Sequence, residues 1–242
     1  MPKVKLTVIM AAYNEEKNIA SAIDACIKLL KENTQGYELL VFDDGSSDRT
    51  GFIADQKAKN DPGVKVIHYG VNKGPGQIVR DAIRMATQDY LTWFPGDHSV
   101  DENFMQIVIG AIGQADIVCA YIANPRSRPF IRRPLSAIFT FLFNSLFGLH
   151  LRYYNGASVF PVNLLRSIEI KSDRYSFFAE IFVRLLRSGY SYVEVPFYHK
   201  PDPATRTKAF SLRNFYHLTR TIFILIRDIY FLHQPKGRKD PR

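Results

Sequence analysis

The sequence predicts an α/β fold, a mostly parallel sheet flanked by helices with an amphipathic helix near the C-terminal end, and three observations carry that prediction. Short β-rich runs alternate with helical patterns through residues 5–121. Polar turns rich in Gly, Asp and Asn follow the strands. A chain of 242 residues that is 46% hydrophobic is long and apolar enough to bury a substantial core.

The elements follow in order. Strands are predicted at "KLTVIMA" (5–11), "YELLVFDD" (37–44), "VKVIHYG" (64–70), "YLTWFPG" (90–96) and "DIVCAY" (116–121). Helices are predicted between them at "NIASAIDACIKLLKEN", "DRTGFIADQKAKN", "GQIVRDAIRMAT" and "FMQIVIGAIGQA" (104–115). Strands separated by helices of this length imply right-handed crossovers and a parallel sheet covered on both faces. The turns "AAYNEE", "DDGSSDRT", "GVNKGPG" and "FPGDHS" then lie at strand carboxyl ends. In an open α/β sheet that edge binds ligands, so all four should face one crevice. Beyond residue 123, "NPRSRPFIRRP" packs four arginines and three prolines into a basic loop. An apolar helix at 135–149, the turn "YYNGAS", a helix "SFFAEIFVRLLRSG" and a strand "YVEVPFYH" follow. A second basic loop, "KPDPATRTKAF", precedes an amphipathic helix at 211–233 and a basic tail. The expected division is a domain at 1–210 and a membrane-associating helix with its tail at 211–242.

Charge narrows the partners. Lys and Arg number 32 against 23 acids, a net charge of +9, which favours an anionic partner: nucleic acid, lipid headgroups or a phosphorylated small molecule. No nucleic-acid module is recognisable and the aromatics fall at core-like spacing, so nucleic acid is set aside. Cys26 and Cys119 form no CxxC and read as buried thiols of a reducing cytoplasm. The N-terminal apolar run passes straight into a polar turn and reads as a first strand, not a signal peptide. Two apolar stretches, 135–151 and 215–233, are interrupted by Asn144, Ser145 and His150 and by Arg220, Arg227 and Asp228, so neither should span a membrane. The second places Phe215, Leu218, Ile222, Leu225, Ile226 and Ile229 on a broad face with Arg213, Arg220 and Arg227 supplying charge. Such a helix lies in an anionic headgroup plane or packs on the sheet. The expected location is cytoplasmic, peripheral to the inner membrane face.

In "DDGSSDRT", adjacent acids ending a buried strand offer Asp43 and Asp44 to base or ribose. The alternative is a turn with Ser47 or Asp48 capping the next helix. A dinucleotide oxidoreductase is disfavoured, since "VNKGPGQ" is not a GxGxxG turn after the first strand.

"VIMAAYNEEKNI", "LLVFDDGSSDRT", "NKGPGQIVRDAI" and "EVPFYHKP" resemble the successive motifs of family-2 glycosyltransferases with the GT-A fold, particularly the polyprenol-phosphate sugar transferase branch, over residues 5–212. The resemblance implies an inverting transferase that moves a sugar from a nucleoside diphosphate donor to a polyprenyl phosphate. Ala12, Tyr13, Glu15 and Asp44 match nucleotide-pocket positions, and Gly74, Gln77 and Asp81 fall beside the donor. The family's Asp-x-Asp metal motif is reduced here to Pro95, Gly96 and Asp97. Asp97 is then the metal anchor and a catalytic residue, with diphosphate and water completing the shell of Mg²⁺ or Mn²⁺. His98 is a second candidate ligand. Two other readings of Asp97 stay open: a turn cap where arginines replace the metal, or a protein that binds nucleotide sugars without catalysis.

The acceptor is read from an absence. Transfer to a hydroxyl needs a general base, and family members of that kind carry an acidic pair where this chain has Glu180 followed by Ile181. A phosphate monoester is already ionised, which fits the polyprenyl-phosphate branch; a glycan or lipid hydroxyl is the alternative acceptor. Glu180 is either an acceptor-side catalytic group or half of a structural salt bridge. Arg132 and Ser136 match a spacing used near the acceptor phosphate, and "TRTK" resembles a later Ser-Lys motif with Thr207 for serine. Arg126, Arg128, Arg132, Arg133, Arg206 and Lys208 are the candidate phosphate ligands, and Arg132 a catalytic one. The "YYNGAS" turn matches the branch only at Gly156. A membrane-anchor subunit or a second copy of the chain stays open as a partner.

Overall fold

The computed structural model describes residues 4–94, 103–130, 132–174, 176–198 and 212–232. Four parallel strands form its centre: β1 (Lys5–Ala12), β2 (Gly36–Asp43), β3 (Val64–His68) and β4 (Tyr90–Trp93). They are joined by α1 (Ile19–Asn33), α2 (Thr50–Ala58) and α3 (Pro75–Met85). After α4 (Phe104–Gly110) come β5 (Ile117–Ile122), α5 (Arg132–Phe147), β6 (Phe160–Pro161) and α6 (Val162–Arg166). Then α7 (Phe177–Arg187), β7 (Tyr192–Phe197) and α8 (Leu212–Ile226) complete the order.

The sheet runs β3-β2-β1-β4-β6, with β6 antiparallel to β4. β5 and β7 pair in parallel, and a bridge between Val118 and Val159 carries that pair alongside β6. Alternation along β1 explains the layering. Leu6, Val8 and Met10 point into a core shared with α1 and α4, while Ile9 points into the opposite core with α3, α5 and α7. Both faces are therefore covered, as the near-continuous apolar strands require.

Every strand expected from the sequence is present; β6 and α6 are additional. A two-residue strand ending in Pro161 is too short to show a period of two. Most helix bounds fall within two residues of expectation, and three differ in an informative way. α5 begins at Arg132, three residues before the expected 135, because Pro134 is tolerated in a first turn where its missing N–H would find no helical acceptor anyway. The loop before it contains one 3-10 turn, Pro125–Ser127. α4 stops at Gly110, well short of 115, where two glycines in four residues remove helix propensity and Gly113 takes φ +93. α8 gives way to a π-helical segment, Arg227–Leu232.

Among the described residues no helix is long and apolar enough to cross a membrane. The C-terminal helix uses one face to pack on the core: Leu225 is fully buried, and Leu218, Ile222, Ile226 and Ile229 lie against the α3/α5/α7 cluster. Cys26 and Cys119 are both buried free thiols, and burial pushes both well above the usual thiol range.

Candidate active site

The parallel register brings the tips of β1, β2 and β3 to one edge. Ala12 stands opposite Asp43, and Asp43 opposite His68. β4 ends beside them, its following residue Phe94 donating its N–H to the Ile9 carbonyl at 2.8 Å. Its turn, with Asp97 and His98, lies outside the described residues.

The first two tips are laced together. Asp44 N–H donates to the Ala12 carbonyl at 2.9 Å. Asn14 Oδ1 accepts from Ser47 N–H at 2.9 Å, its own N–H donates to Ser46 Oγ at 3.0 Å, and the Glu15 N–H donates to Thr50 Oγ1 at 2.8 Å. Asn14 has φ 55, the left-handed region that few non-glycine residues adopt, and Asn is among those that tolerate it. Sequence reasoning quoted this residue without assigning it a role; an Asn in a turn directly after a buried strand was the available signal. Tyr13 projects from the same tip, 43% exposed. Glu15 turns its carboxylate onto Asn18 at 2.9 Å, and its carbonyl accepts from the first N–H groups of α1.

The two acids of "DDGSSDRT" have separate tasks. Asp43 accepts from Ser46 N–H at 3.0 Å and meets His68 Nδ1 at 3.2 Å, tying β2 to β3. Asp44 accepts from Lys73 N–H at 2.7 Å and Gly74 N–H at 3.1 Å, closing the turn that leads into α3. A carboxylate offers about four lone-pair positions, so Asp44, 5% exposed, retains acceptor capacity beyond its two backbone donors. Burial raises the Asp44 carboxyl above its usual range, against the backbone donors of Lys73 and Gly74 and the charge of Arg174. Arg174 was not singled out from the sequence; its charge acts on Asp44 only because the chain returns about 130 residues later. Neither Ser47 nor Asp48 occupies the cap of α2, which is Arg49; Asp48 instead accepts from the Thr50 N–H at 3.0 Å in the turn before the helix.

Gly74 has φ +84 and precedes Pro75 at the start of α3. Gln77 Nε2 donates to Asp81 at 3.0 Å and its Oε1 accepts from Arg80 Nη2 at 2.8 Å. Asp81 also accepts from the Tyr69 hydroxyl and from Arg84, and these bonds outweigh burial to lower its carboxyl. Lys73 Nζ sits 4.2 Å from the centre of the Tyr69 ring. The result is a polar floor of Asp44, Tyr69, Gln77 and Asp81 at one strand edge.

The arginine loop is sorted by the fold. Arg133 is a strut, donating to the Arg126 carbonyl at 2.6 Å and the Arg128 carbonyl at 3.1 Å. Arg128 stacks 5.6 Å from the Tyr153 ring centre. Burial raises the Tyr153 phenol, while the charges of Arg128 and Arg132 oppose that rise. Arg126 is exposed, and Ser136 sits half-buried one turn along α5 from Arg132. Arg206, Thr207 and Lys208 lie outside the described residues.

Glu180 is 1% exposed and saturated. Its oxygens accept from the N–H of Lys171 (3.0 Å) and Ser172 (2.8 Å), from Ser172 Oγ (2.6 Å) and from Arg184 Nε (2.9 Å). Of its two readings, the salt bridge to Arg184 is the one built; a carboxylate filled by four donors has no capacity left for an acceptor. Among the described residues no cluster of three His, Cys, Asp or Glu side chains suits a metal ion.

A parallel sheet with laced strand tips, a glycine turn opening α3 and an antiparallel β6 inserted beside β4 define an α/β protein of the GT-A fold. The chain belongs to glycosyl transferase family 2, whose sequence profile matches residues 7–170. Glycosyltransferase AglD of Haloferax volcanii is 22% identical over 214 residues, covering 84% of this chain and 34% of its own length, so the chain spans about a third of that relative. An undecaprenyl-phosphate mannosyltransferase of Micrococcus luteus is 26% identical over 204 residues, covering 80% of this chain and 82% of that protein. Among solved structures, glucosyl-3-phosphoglycerate synthase from Mycobacterium tuberculosis, in complex with Mn²⁺, UDP and phosphoglyceric acid, superposes with a TM-score of 0.66 at 19% identity, covering 90% of this chain and 78% of that one.

Proposed function

We propose that the protein is an inverting glycosyltransferase that moves one sugar from a nucleoside diphosphate sugar to a polyprenyl phosphate at the cytoplasmic face of a membrane. The observation that carries it is the convergence of the tips of β1, β2 and β3 on Asp44, whose carboxylate is ringed by backbone donors and keeps acceptor capacity for a nucleoside. Ala12, Tyr13, Glu15 and Asp43 shape the tips around it, and Gly74 and Gln77 border its far side. The undecaprenyl-phosphate mannosyltransferase relative supports the acceptor class.

The acceptor phosphate is an ionised nucleophile and needs positioning and charge balance rather than a base. Arg128 and Arg132, whose charges both act on Tyr153, supply positive potential where it would dock, with Arg126, Ser136, Arg206 and Lys208 completing the assigned set. One acceptor oxygen attacks the anomeric carbon from the face opposite the diphosphate, and the carbon–oxygen bond to that diphosphate breaks. A divalent Mg²⁺ or Mn²⁺ ion, with Asp97 as its protein ligand, would supply charge to stabilise the departing diphosphate.

Membrane contact rests on an exposed apolar patch. Ile138 and Phe141 on α5 and Phe223, Phe231 and Leu232 on α8 and its π-helical end are all more than 60% exposed. The Tyr230 hydroxyl donates to the Leu146 carbonyl at 2.7 Å, which joins the two helices into one surface. Exposed aromatics beside a net charge of +9 suit an anionic bilayer surface.

The test is incubation with a panel of nucleotide sugars, Mg²⁺ or Mn²⁺, and a short polyprenyl phosphate. One donor should give a glycosylated lipid, and Arg132→Ala should raise the acceptor KM more than the donor KM. No product from any donor would count against the assignment.

A further inference from the structure

Residues 170–174 form an irregular strap between α3 and the C-terminal helices, and every part of it is held. On the α3 side, Arg80 donates to the Ser172 carbonyl at 2.8 Å and pairs with Asp173 at 3.0 Å, and the Gly76 N–H donates to the Asp173 carbonyl at 3.3 Å. The approach is close: a Cβ on Gly76 would stand 2.2 Å from the Ser172 carbonyl oxygen. On the α7 side, Glu180 takes the N–H groups of Lys171 and Ser172 and the Ser172 hydroxyl. On the α8 side, Thr221 Oγ1 lies 3.1 Å from Ser172 Oγ and 2.9 Å from Ser176 Oγ, Arg220 pairs with Asp173 at 3.3 Å, and Lys171 pairs with Asp228 at 2.9 Å.

The hydroxyl chain has a direction. Ionised Glu180 only accepts, so the Ser172 proton goes to it. Thr221 must then be the donor toward Ser172, sharing its proton with the His217 carbonyl at 2.8 Å, and Ser176 donates to Thr221. All three hydroxyls are buried, so loss of one leaves partners unpaired. The far end of this chain is Asp44, since the turn that packs on the strap carries the Lys73 and Gly74 N–H groups bound by its carboxylate.

We propose that Thr221 and Glu180 are positioning residues of the donor pocket, acting through the 170–174 strap to hold the Lys73–Gly76 turn where it meets Asp44. Docking of α8 thereby sets the affinity for nucleotide. This rests on the reading of Asp44 as a nucleoside ligand. Neither residue touches the nucleotide; each acts through Ser172.

The experiment compares the full chain with Thr221→Val, nearly equal in shape, and Thr221→Ser, which keeps the hydroxyl. Hydrogen exchange is followed at residues 69–79, and nucleoside diphosphates, UDP and GDP first, are titrated by calorimetry. Thr221→Val should speed exchange at Lys73 and Gly74 and weaken the best-binding nucleotide by about 5- to 10-fold, the lower range of coupling between linked sites; Thr221→Ser should restore both. Arg80→Gln, on the opposite flank, should give the same pair of changes and serves if the valine variant does not fold. A lower melting temperature with unchanged exchange and affinity overturns the proposal, as does faster exchange without a loss of affinity. If the unaltered protein binds no nucleoside diphosphate at all, the donor reading falls and takes the pocket role with it.

Discussion

Asp44 carries two roles at the residue scale, because one carboxylate closes the turn into α3 and is the proposed nucleoside ligand. Asp44→Ala should leave the Lys73 and Gly74 N–H groups without acceptors, costing about 2 kcal/mol in urea unfolding and abolishing nucleotide binding by calorimetry. His68 carries a pH dependence. It stands between Asp43 at 3.2 Å and Asp55 at 3.0 Å, and although partial burial opposes charging, the hydrogen bonds to Asp55 and Asp43 raise its pKa above the ordinary 6.5. A raised pKa means the folded state holds the proton more tightly, so this stabilisation is complete below pH 6.5 and lost as pH rises through the raised value. Urea midpoints should fall across that interval, and His68→Gln should flatten the fall. The paired acids of this turn were legible in the sequence, but their division of labour was not. Asp43 looks the same as Asp44 until His68 and Gly74 are placed beside them.

At the scale of elements, two close approaches show why certain turns read as they do. The "YYNGAS" turn departs from its family pattern everywhere except Gly156. A Cβ there would stand 1.9 Å from the Ala120 carbonyl oxygen on β5, so the backbone contact that seats the turn against that strand requires glycine. Gly156→Ala should destabilise the protein by about 2 kcal/mol or more, seen as a lower urea midpoint with an unchanged slope. The alternation of strands and helices was legible throughout residues 5–121, since burial on both sides of a sheet writes itself into local periodicity. The start of α5 was not, because the prolines of the arginine loop signal irregular backbone equally well before and inside a first helical turn. That shift matters chemically: it moves Arg132 and Arg133 from a loop into a helix, where Arg133 becomes a strut.

On the scale of the whole molecule, the C-terminal helix is fastened by charge as well as by apolar contact. Asp228 meets Lys171 at 2.9 Å, Arg184 at 2.9 Å and Arg227 at 2.8 Å. Burial alone would raise its carboxyl, but hydrogen bonds from Arg184, Arg227 and Lys171 hold it well below the usual carboxylate range. A lowered pKa means stabilisation that is complete above the ordinary value of 3.8 and lost as pH falls through the lowered one. Acid should therefore release α8, and Asp228→Asn should do so already at neutral pH, costing about 3 kcal/mol because Arg184 stays buried with fewer partners. Tryptic cleavage rates at Arg220 and Arg227 would report the release. The opposite face of the same helix carries the membrane proposal: Phe141→Ser with Phe231→Ser should cut sedimentation with anionic vesicles several-fold without changing the melting temperature. The sequence left this helix open between bilayer and sheet. Packing gives it two faces, Leu225 inward and Phe231 outward, which a broad apolar stripe does not separate.

The sequence by itself determined the α/β architecture, the family and the polar turns that end β1, β2 and β3, because these depend on periodicity and on short motifs read within a few residues. Tertiary structure decided how each polar group is used. Glu180 is filled by a strap eight residues upstream and by Arg184, Asp44 by a turn thirty residues on, and Ser172 by a helix almost fifty residues away. A side chain's hydrogen-bonding capacity is finite, and which distant partner consumes it is fixed only when the layers pack.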